Sequence, residues 1–145
     1  MTAITTRIIA EPTEADHLAI LNPLLAFNEA KTGDDRYRPL AIALSDETGQ
    51  AAGGLWAKFY YDWLFVELLF VPEKLRGRGL GASLLLQAEE WARNHSCNGI
   101  WLDTFSFQAP GFYEKQGYTL FGAIDDYPSG HRRMFFRKLL SVASA

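Results

Sequence analysis

Arg76, Gly77, Arg78, Gly79 and Gly81 crowd into one short stretch, Val71-Pro72-Glu73-Lys74-Leu75-Arg76-Gly77-Arg78-Gly79-Leu80-Gly81. Glycines at alternate positions let the backbone take positive φ and let a ligand come close, because no Cβ intervenes. The start of a helix offers unpaired N–H groups and the positive end of its dipole. With two guanidinium groups added, the stretch reads as a seat for an anion, most naturally a phosphate. The other residue of chemical interest is Glu67, one carboxylate inside the apolar run Trp63-Leu64-Phe65-Val66-Glu67-Leu68-Leu69-Phe70. Burying it alone would cost several kcal/mol, so it must meet water, a positive group or a cavity.

Other readings of the glycine turn stand beside this one. Gly77-Arg78-Gly79-Leu80-Gly81-Ala82 also satisfies a dinucleotide-binding fingerprint, and Asp103 falls near the offset of about 20 residues where such sites place an acid. That fingerprint belongs in the first turn of a repeated βαβ series, whereas here a strand meander precedes it and one crossover follows. No Gly-Lys-(Ser/Thr) closes the turn as a P-loop would. A structural turn with solvated arginines is the plain alternative.

The turn is set between a strand and a helix. Period-two alternation on the run before it puts Trp63, Phe65, Glu67, Leu69 and Val71 on one face and Leu64, Val66, Leu68 and Phe70 on the other, so both faces are expected to be covered. After the turn, Leu80, Leu84, Leu85, Ala88, Trp91 and Ala92 form an apolar stripe. Gln87, Glu89, Glu90 and Arg93 lie on the other side, with Glu89 and Arg93 spaced to pair. His95 reads as a partner for the helix C-terminus.

Upstream, Ile4–Ala10 is β-branched enough for a strand, and Thr13 with Asp16 three residues later predicts a helix start. Asn22-Pro23 predicts a second start, hence two short helices ending near Gly33, with His17 on the surface of the first. Strands follow over Arg38–Leu44 and Gly54–Tyr60. Downstream, Ile100–Phe105 is a strand parallel to the central one, because a helix separates them. Pro110 and Gly117 frame a short helix bearing Phe112 and Tyr113, and Tyr118–Ala123 and Met134–Leu139 end the pattern. Ser141–Ala145 is expected to fray.

Composition bounds the rest. The 145 residues, 48% hydrophobic and 14% aromatic, suit a single domain, 1–145, with a sizeable core. A net charge of −3 without a basic stripe argues against nucleic acid as a partner. Cys97 is the only cysteine, so neither an internal disulfide nor a multi-cysteine metal site is expected. Glu67 cuts the longest apolar run well short of a membrane span, and residues 1–7 do not read as a secretory leader. A cytoplasmic location is the expectation.

Two landmarks together resemble the GCN5-related N-acetyltransferases. Arg76-x-x-Gly79-x-Gly81, led in by Leu69-Phe70-Val71-Pro72, is similar to their (Gln/Arg)-x-x-Gly-x-(Gly/Ala) motif. Ala109-Pro110-Gly111-Phe112-Tyr113-Glu114-Lys115-Gln116-Gly117-Tyr118 is similar to their second one. The resemblance covers about Trp63 to Tyr118. It implies an α/β fold, an α+β mixed sheet in the order β-α-α-β-β-β-α-β-α-β-β, with helices flanking parallel strands 4 and 5 that splay apart at a bulge.

The resemblance also implies a reaction. Acetyl-CoA would lie in the splay, its arm against the backbone of Phe70 and Val71 and its pyrophosphate on Arg76, Gly77, Arg78, Gly79, Leu80 and Gly81. No metal would be needed. Many relatives carry an asparagine where this chain has Ser106, which leaves Ser106 a weaker cofactor contact; Lys115 reads as an exposed lysine on a short helix, with an approach to the cofactor's phosphates as the alternative. Tyr113 would be the general acid, its phenol with a reference pKa near ~10 being protonated at neutral pH; a core tyrosine beside Phe112 is the alternative. Glu67 would take a proton from the incoming ammonium, unless it is only an ion-pair partner of an arginine across the sheet. Asp125 and Asp126 could extend the negative field. The expected acceptor is the primary amine of a small molecule attacking directly in a ternary complex. A protein amine, or a non-catalytic acyl-CoA-binding module, remains the alternative, and a homodimer is left open.

Overall fold

In the computed structural model, residues 2–140 are described; the expected fraying of Ser141–Ala145 lies outside them. The chain divides into two compact units at Asp35/Arg36.

The first unit holds one helix, α1 (Glu14–Thr32). Thr13 caps it with Oγ1 accepting from the Asp16 N–H at 3.3 Å, while Asp16 Oδ2 accepts from the Thr13 N–H at 2.9 Å. This reciprocal arrangement satisfies two donors that a helix start leaves open. The expected second start at Asn22-Pro23 does not occur, and Pro23 lies inside α1. Proline forfeits its own N–H bond, here the one toward Ala19, and its ring crowds the Ala19 carbonyl, but the turns on either side carry the helix through. Nor does Ile4–Ala10 form a strand: Ile4 and Ile8 are almost fully exposed. A β-branched sequence supplies propensity, but a strand also needs a ladder partner, and among the described residues this segment has none.

The second unit is a six-stranded sheet with two helices. Its strands are β1 (Arg38–Ser45), β2 (Ala51–Tyr60), β3 (Trp63–Phe70), β4 (Gly99–Phe105), β5 (Thr119–Asp125) and β6 (Arg132–Leu139), in the order β1-β2-β3-β4-β6-β5. All neighbours are antiparallel except β3 and β4, which run parallel because α2 (Leu80–Asn94) crosses between them. These are the parallel strands expected as 4 and 5, renumbered because the first expected strand is missing. A short helix, α3 (Pro110–Lys115), joins β4 to β5.

One face of the sheet packs on α2. Leu84, Leu85, Ala88 and Ala92 of α2 are buried against Leu55, Ala57, Phe59, Leu64, Val66, Ile100, Leu102 and Phe136. Trp91 meets Phe59 edge-on at 5.8 Å. His95 caps the helix end as expected: its Nδ1 lies 2.8 Å from the Trp91 carbonyl and its ring stacks on Trp91. Glu89 departs from expectation. It is buried, and it pairs with Lys138 of β6 rather than with Arg93. The reason is positional, since Glu89 is one turn beyond Leu85 and borders the buried stripe on the side facing β6.

Candidate functional site

The ladder between β3 and β4 runs from Trp63↔Gly99 to Val66↔Leu102 and then stops, although β3 continues to Phe70 and β4 to Phe105. The cause lies on the other side of β3. In its pairing with β2, Trp56 faces Leu68 and Ala57 faces Val66, so Glu67 is an extra residue without a partner. A bulge of this kind bends its strand and strengthens the local twist. The expected splay at a bulge is therefore present, and Glu67 is the bulged residue.

The bulge also overturns the expected alternation. Leu55, Ala57 and Phe59 share the α2 face, and they pair with Leu69, Val66 and Leu64. Leu69 and Val71 therefore join the core face, while Leu68 and Phe70 are 63% and 57% exposed. One inserted residue flips every side chain after it.

Beyond the splay the chain makes a single 3-10 turn, Glu73–Leu75, and enters α2. Arg76 donates from Nε to the Val71 carbonyl at 2.8 Å and lies over the Phe70 ring, which braces the turn against the end of β3 and leaves its Nη donors. Gly77 and Gly79 have φ of +80° and +76°, and a Cβ on either would meet nothing within 4 Å. Gly79 is the N-cap of α2 and supplies no side-chain bond. The first intrahelical bond runs from Ser83 N–H to the Gly79 carbonyl, so the N–H groups of Leu80, Gly81 and Ala82 lack an intrahelical acceptor. No acidic residue occupies the first turn. Orphan donors, an open glycine surface, and Arg76 and Arg78, both exposed, fit a pyrophosphate.

The second landmark is held against the first. A Cβ on Gly81 would stand 3.1 Å from Cζ of Phe112, so α3 can approach α2 this closely only over a glycine. Tyr113 follows Phe112 and packs among Phe112, Tyr118 and Phe136. Burial pushes its phenol up to about 12, and the negative charge of Asp103 adds to the shift. It is thus firmly protonated at neutral pH. Burial likewise pushes the Cys97 thiol up to about 11, which makes it a poor nucleophile.

Glu67 meets a cation, and that cation is a lysine on the neighbouring strand: Lys58 Nζ lies 3.3 Å from Glu67 Oε2, both side chains being more than a third exposed. The other acids are engaged elsewhere. Asp125 pairs with Arg132 at 2.9 Å, and Asp126 Oδ1 accepts from the Gly130 N–H. Both are tied up within the β5–β6 hairpin. Ser106 Oγ accepts from the Arg132 N–H at 2.9 Å, extending the pairing of β4 with β6 past the last strand residue. Lys115 is exposed.

Two features carry no separate sequence signal. Asp103 takes a bidentate bond from Arg133, 3.1 Å to Nε and 2.9 Å to Nη2, and Arg133 also donates to the Tyr127 hydroxyl. Gln108 Oε1 accepts from the Phe105 N–H and the Thr104 hydroxyl, closing the turn out of β4. Asp103 is thereby committed to Arg133, and the sheet order contains one crossover, so the dinucleotide reading falls. Among the described residues no cluster of His, Cys, Asp and Glu is placed to hold a metal.

Comparison with known proteins follows the same lines. Residues 5–118 match the sequence model of the acetyltransferase (GNAT) family. Acetyltransferase Atu2258 of Agrobacterium fabrum (strain C58 / ATCC 33970) is 38% identical over 120 residues, which is 83% of this chain and 88% of that protein. Blasticidin-S acetyltransferase of Streptomyces morookaense is 44% identical over 97 residues, 64% of this chain and 71% of that protein. An acetyltransferase from Bacillus cereus ATCC 14579 superimposes with a TM-score of 0.82 at 33% identity, covering 92% of this chain and 98% of its own. A Bacillus anthracis str. Ames protein solved in complex with acetyl coenzyme A superimposes with a TM-score of 0.57 at 26% identity, over 64% of this chain and 58% of its own. This chain belongs to the acetyltransferase (GNAT) family, and it is an acyltransferase.

Proposed function

We propose that the protein transfers the acetyl group of acetyl-CoA to a primary amine of a small molecule, by direct attack in a ternary complex. The observation that carries this reading is the halt of the β3–β4 ladder after Val66↔Leu102, with the orphan N–H groups of α2 beyond one strand and Tyr113 on the helix that follows the other. Acetyl-CoA, when bound, supplies a thioester carbonyl and a sulfur leaving group. Arg76, Gly77, Arg78, Gly79, Leu80 and Gly81 hold its pyrophosphate, and charge-assisted bonds from the two arginines add to the backbone donors. Phe70, the last residue of β3, and Val71 just after it offer backbone groups where the β4 side has no ladder partner among the described residues. The Val71 N–H is the candidate donor to the carbonyl oxygen.

As the C–N bond forms and the C–S bond breaks, Tyr113 gives its phenolic proton to the departing sulfur, a role suited to a group still protonated well above neutral pH, and the proton that the nitrogen then sheds restores the phenol through solvent. Glu67 takes a proton from the acceptor's ammonium group, directly or through water, because a protonated amine has no lone pair with which to attack. Its negative charge also favours a cationic acceptor, and it shares that charge with Lys58. Ser106 remains available as a donor to the cofactor arm, since its oxygen only accepts in the bond to Arg132. The relative named for blasticidin S supports a small-molecule acceptor, and the relative solved with acetyl coenzyme A supports the donor. We also read 1–145 as one domain of a cytoplasmic enzyme; support comes from the family match, which runs through Asp35/Arg36.

Release of free CoA, measured with acetyl-CoA and a panel of amines that includes blasticidin S, tests the reading. Turnover with a small amine is the expected result. Saturable acetyl-CoA binding with no thiol release from any small amine would overturn it and leave the binding module or a protein acceptor.

A further inference from the structure

The ion pair of Glu89 and Lys138 has an energetic problem that its geometry answers. The Glu89 side chain is only 2% exposed, and removing a carboxylate from water costs several kcal/mol, which one attraction repays only if further hydrogen bonds complete the site. Lys138 supplies the completion in an informative place. Its Nζ contacts Glu89 Oε1 on α2 and donates to the backbone carbonyl of Gln116 at 3.0 Å. Gln116 is the C-cap of α3, where unsatisfied carbonyls and the negative end of the helix dipole gather, so the cation meets both needs. The stem of Lys138 also runs beside Gly117, with Cε 3.5 Å from where a Cβ there would stand.

Helix α3 is only six residues long and contains no fully buried side chain. A helix that short is not stable by its own hydrogen bonds. It is held at its N-terminal half by Phe112 against Gly81, and at its C-terminal end by Lys138, which Glu89 fixes in turn. Between the two attachments stands Tyr113. We propose that Glu89 and Lys138 are positioning residues of the acetyl transfer: the pair fixes the end of α3 and thereby sets the Tyr113 hydroxyl. The inference rests on the reading of Tyr113 as the acid. The polar contacts of Lys138 are with Glu89 and Gln116, so no contact with substrate is assigned to the pair, and cofactor affinity is expected to be unaltered.

The test replaces the pair by apolar residues of similar size, Glu89→Leu with Lys138→Met, because such exchanges usually preserve a fold whereas removing one partner strands a buried charge. Hydrogen exchange and steady-state kinetics are read on the same preparations. The expected result is faster exchange at the N–H groups of Gln116, Gly117 and Tyr118 with α2 unchanged, kcat lower by about 10- to 100-fold, and acetyl-CoA Kd unchanged; small displacements of a reacting group cost rates of that order. In the Tyr113→Phe background the same double replacement should cost nothing further in kcat. Unchanged exchange in α3, or a kcat loss that simply multiplies with that of Tyr113→Phe, overturns the proposal. Should the apolar pair fail to fold, Glu89→Gln weakens the hold on Lys138 while leaving it an oxygen acceptor, and it must then speed exchange at the same N–H groups and lower kcat; unchanged exchange and kcat overturn the proposal. Full activity of Tyr113→Phe would overturn the acid reading by itself, and the exchange data would still show whether the pair holds α3.

Discussion

Gly81 and Phe112 are in contact across α2 and α3, with the ring Cζ only 3.1 Å from the position a Cβ on Gly81 would take. The second glycine of the first landmark is thus accounted for by packing, and it couples the glycine turn to the helix that bears Tyr113. In Gly81→Ala the helical backbone gains up to about 1 kcal/mol from the better helix former, while the Phe112 ring, partly exposed, must shift by a few tenths of an ångström. An unchanged or slightly raised Tm combined with a lower kcat is the expected outcome. Thermal unfolding and turnover on one preparation check it, and a variant with unaltered kcat would show that the contact does not position α3.

Gly79 behaves differently. Its φ of +76° lies in the left-handed region, yet a Cβ there would meet nothing within 4 Å. The cost of Gly79→Val is therefore conformational, about 1–2 kcal/mol, and the fold should survive it. What changes is the open surface over the α2 N-terminus, so acetyl-CoA affinity should fall by more than tenfold. Gly79→Asn, which tolerates this conformation, should retain the backbone and lose less. Calorimetry decides: a folded Gly79→Val protein with wild-type affinity would remove the turn from the binding site.

The parts of the fold legible in the sequence are those specified by local chemistry. The turn glycines, the α2 stripe, the Thr13–Asp16 cap and the frame of α3 each depend on residues a few positions apart, and each stands where the pattern put it. The misses share a physical cause, which is dependence on distant partners. Glu67 reads as one more step of an alternating strand until its mispairing with β2 makes it a bulge and reverses Leu68, Leu69 and Phe70. Glu89 reads as a surface acid because Lys138 lies 49 positions away. Asp103 looked like a ribose ligand by offset alone, and Arg133 claims it. Ile4–Ala10 had the propensity of a strand but, among the described residues, no ladder partner.

Tyr113 carries a prediction in two parts. If Tyr113 is the proposed acid, replacing it by Phe removes the proton for the departing sulfur, and kcat should fall by about 10²–10⁴-fold with acetyl-CoA Kd little changed. The pH dependence follows from burial. Because its folded pKa, about 12, lies above the unfolded value near ~10, the native state keeps a proton that the unfolded state loses between those values. The stabilisation from this group is complete below about pH 10 and is lost as pH rises toward the folded pKa of about 12. Tyr118, buried and also shifted upward, adds to the same alkaline loss. Phenolate absorbance followed alongside unfolding tests this. The difference in phenolate absorbance between native wild type and native Tyr113→Phe isolates this group from the other five tyrosines, and a difference that titrates near the ordinary tyrosine value would mean that Tyr113 is not shielded.

On the proposed reading, Glu67 bears on what kind of amine the site accepts. Its partner Lys58 is 39% exposed, and a pair this open contributes no more than about 1 kcal/mol, so Glu67→Gln should fold normally. If Glu67 takes a proton from the acceptor, its removal matters most where the free amine is scarce. The expected profile is a Glu67→Gln enzyme depressed at low pH that recovers toward wild type as pH approaches the pKa of the amine, near ~10 for an alkylammonium group. Lys58→Met separates the two roles of the carboxylate. It breaks the pair while leaving the base, so it should preserve the shape of the wild-type profile and improve KM for a cationic acceptor, the local field having become more negative. Full kcat/KM profiles of the three proteins against one amine of high pKa supply the measurement. Parallel profiles for wild type and Glu67→Gln would reduce Glu67 to the bulged residue of β3 and the ion-pair partner of Lys58.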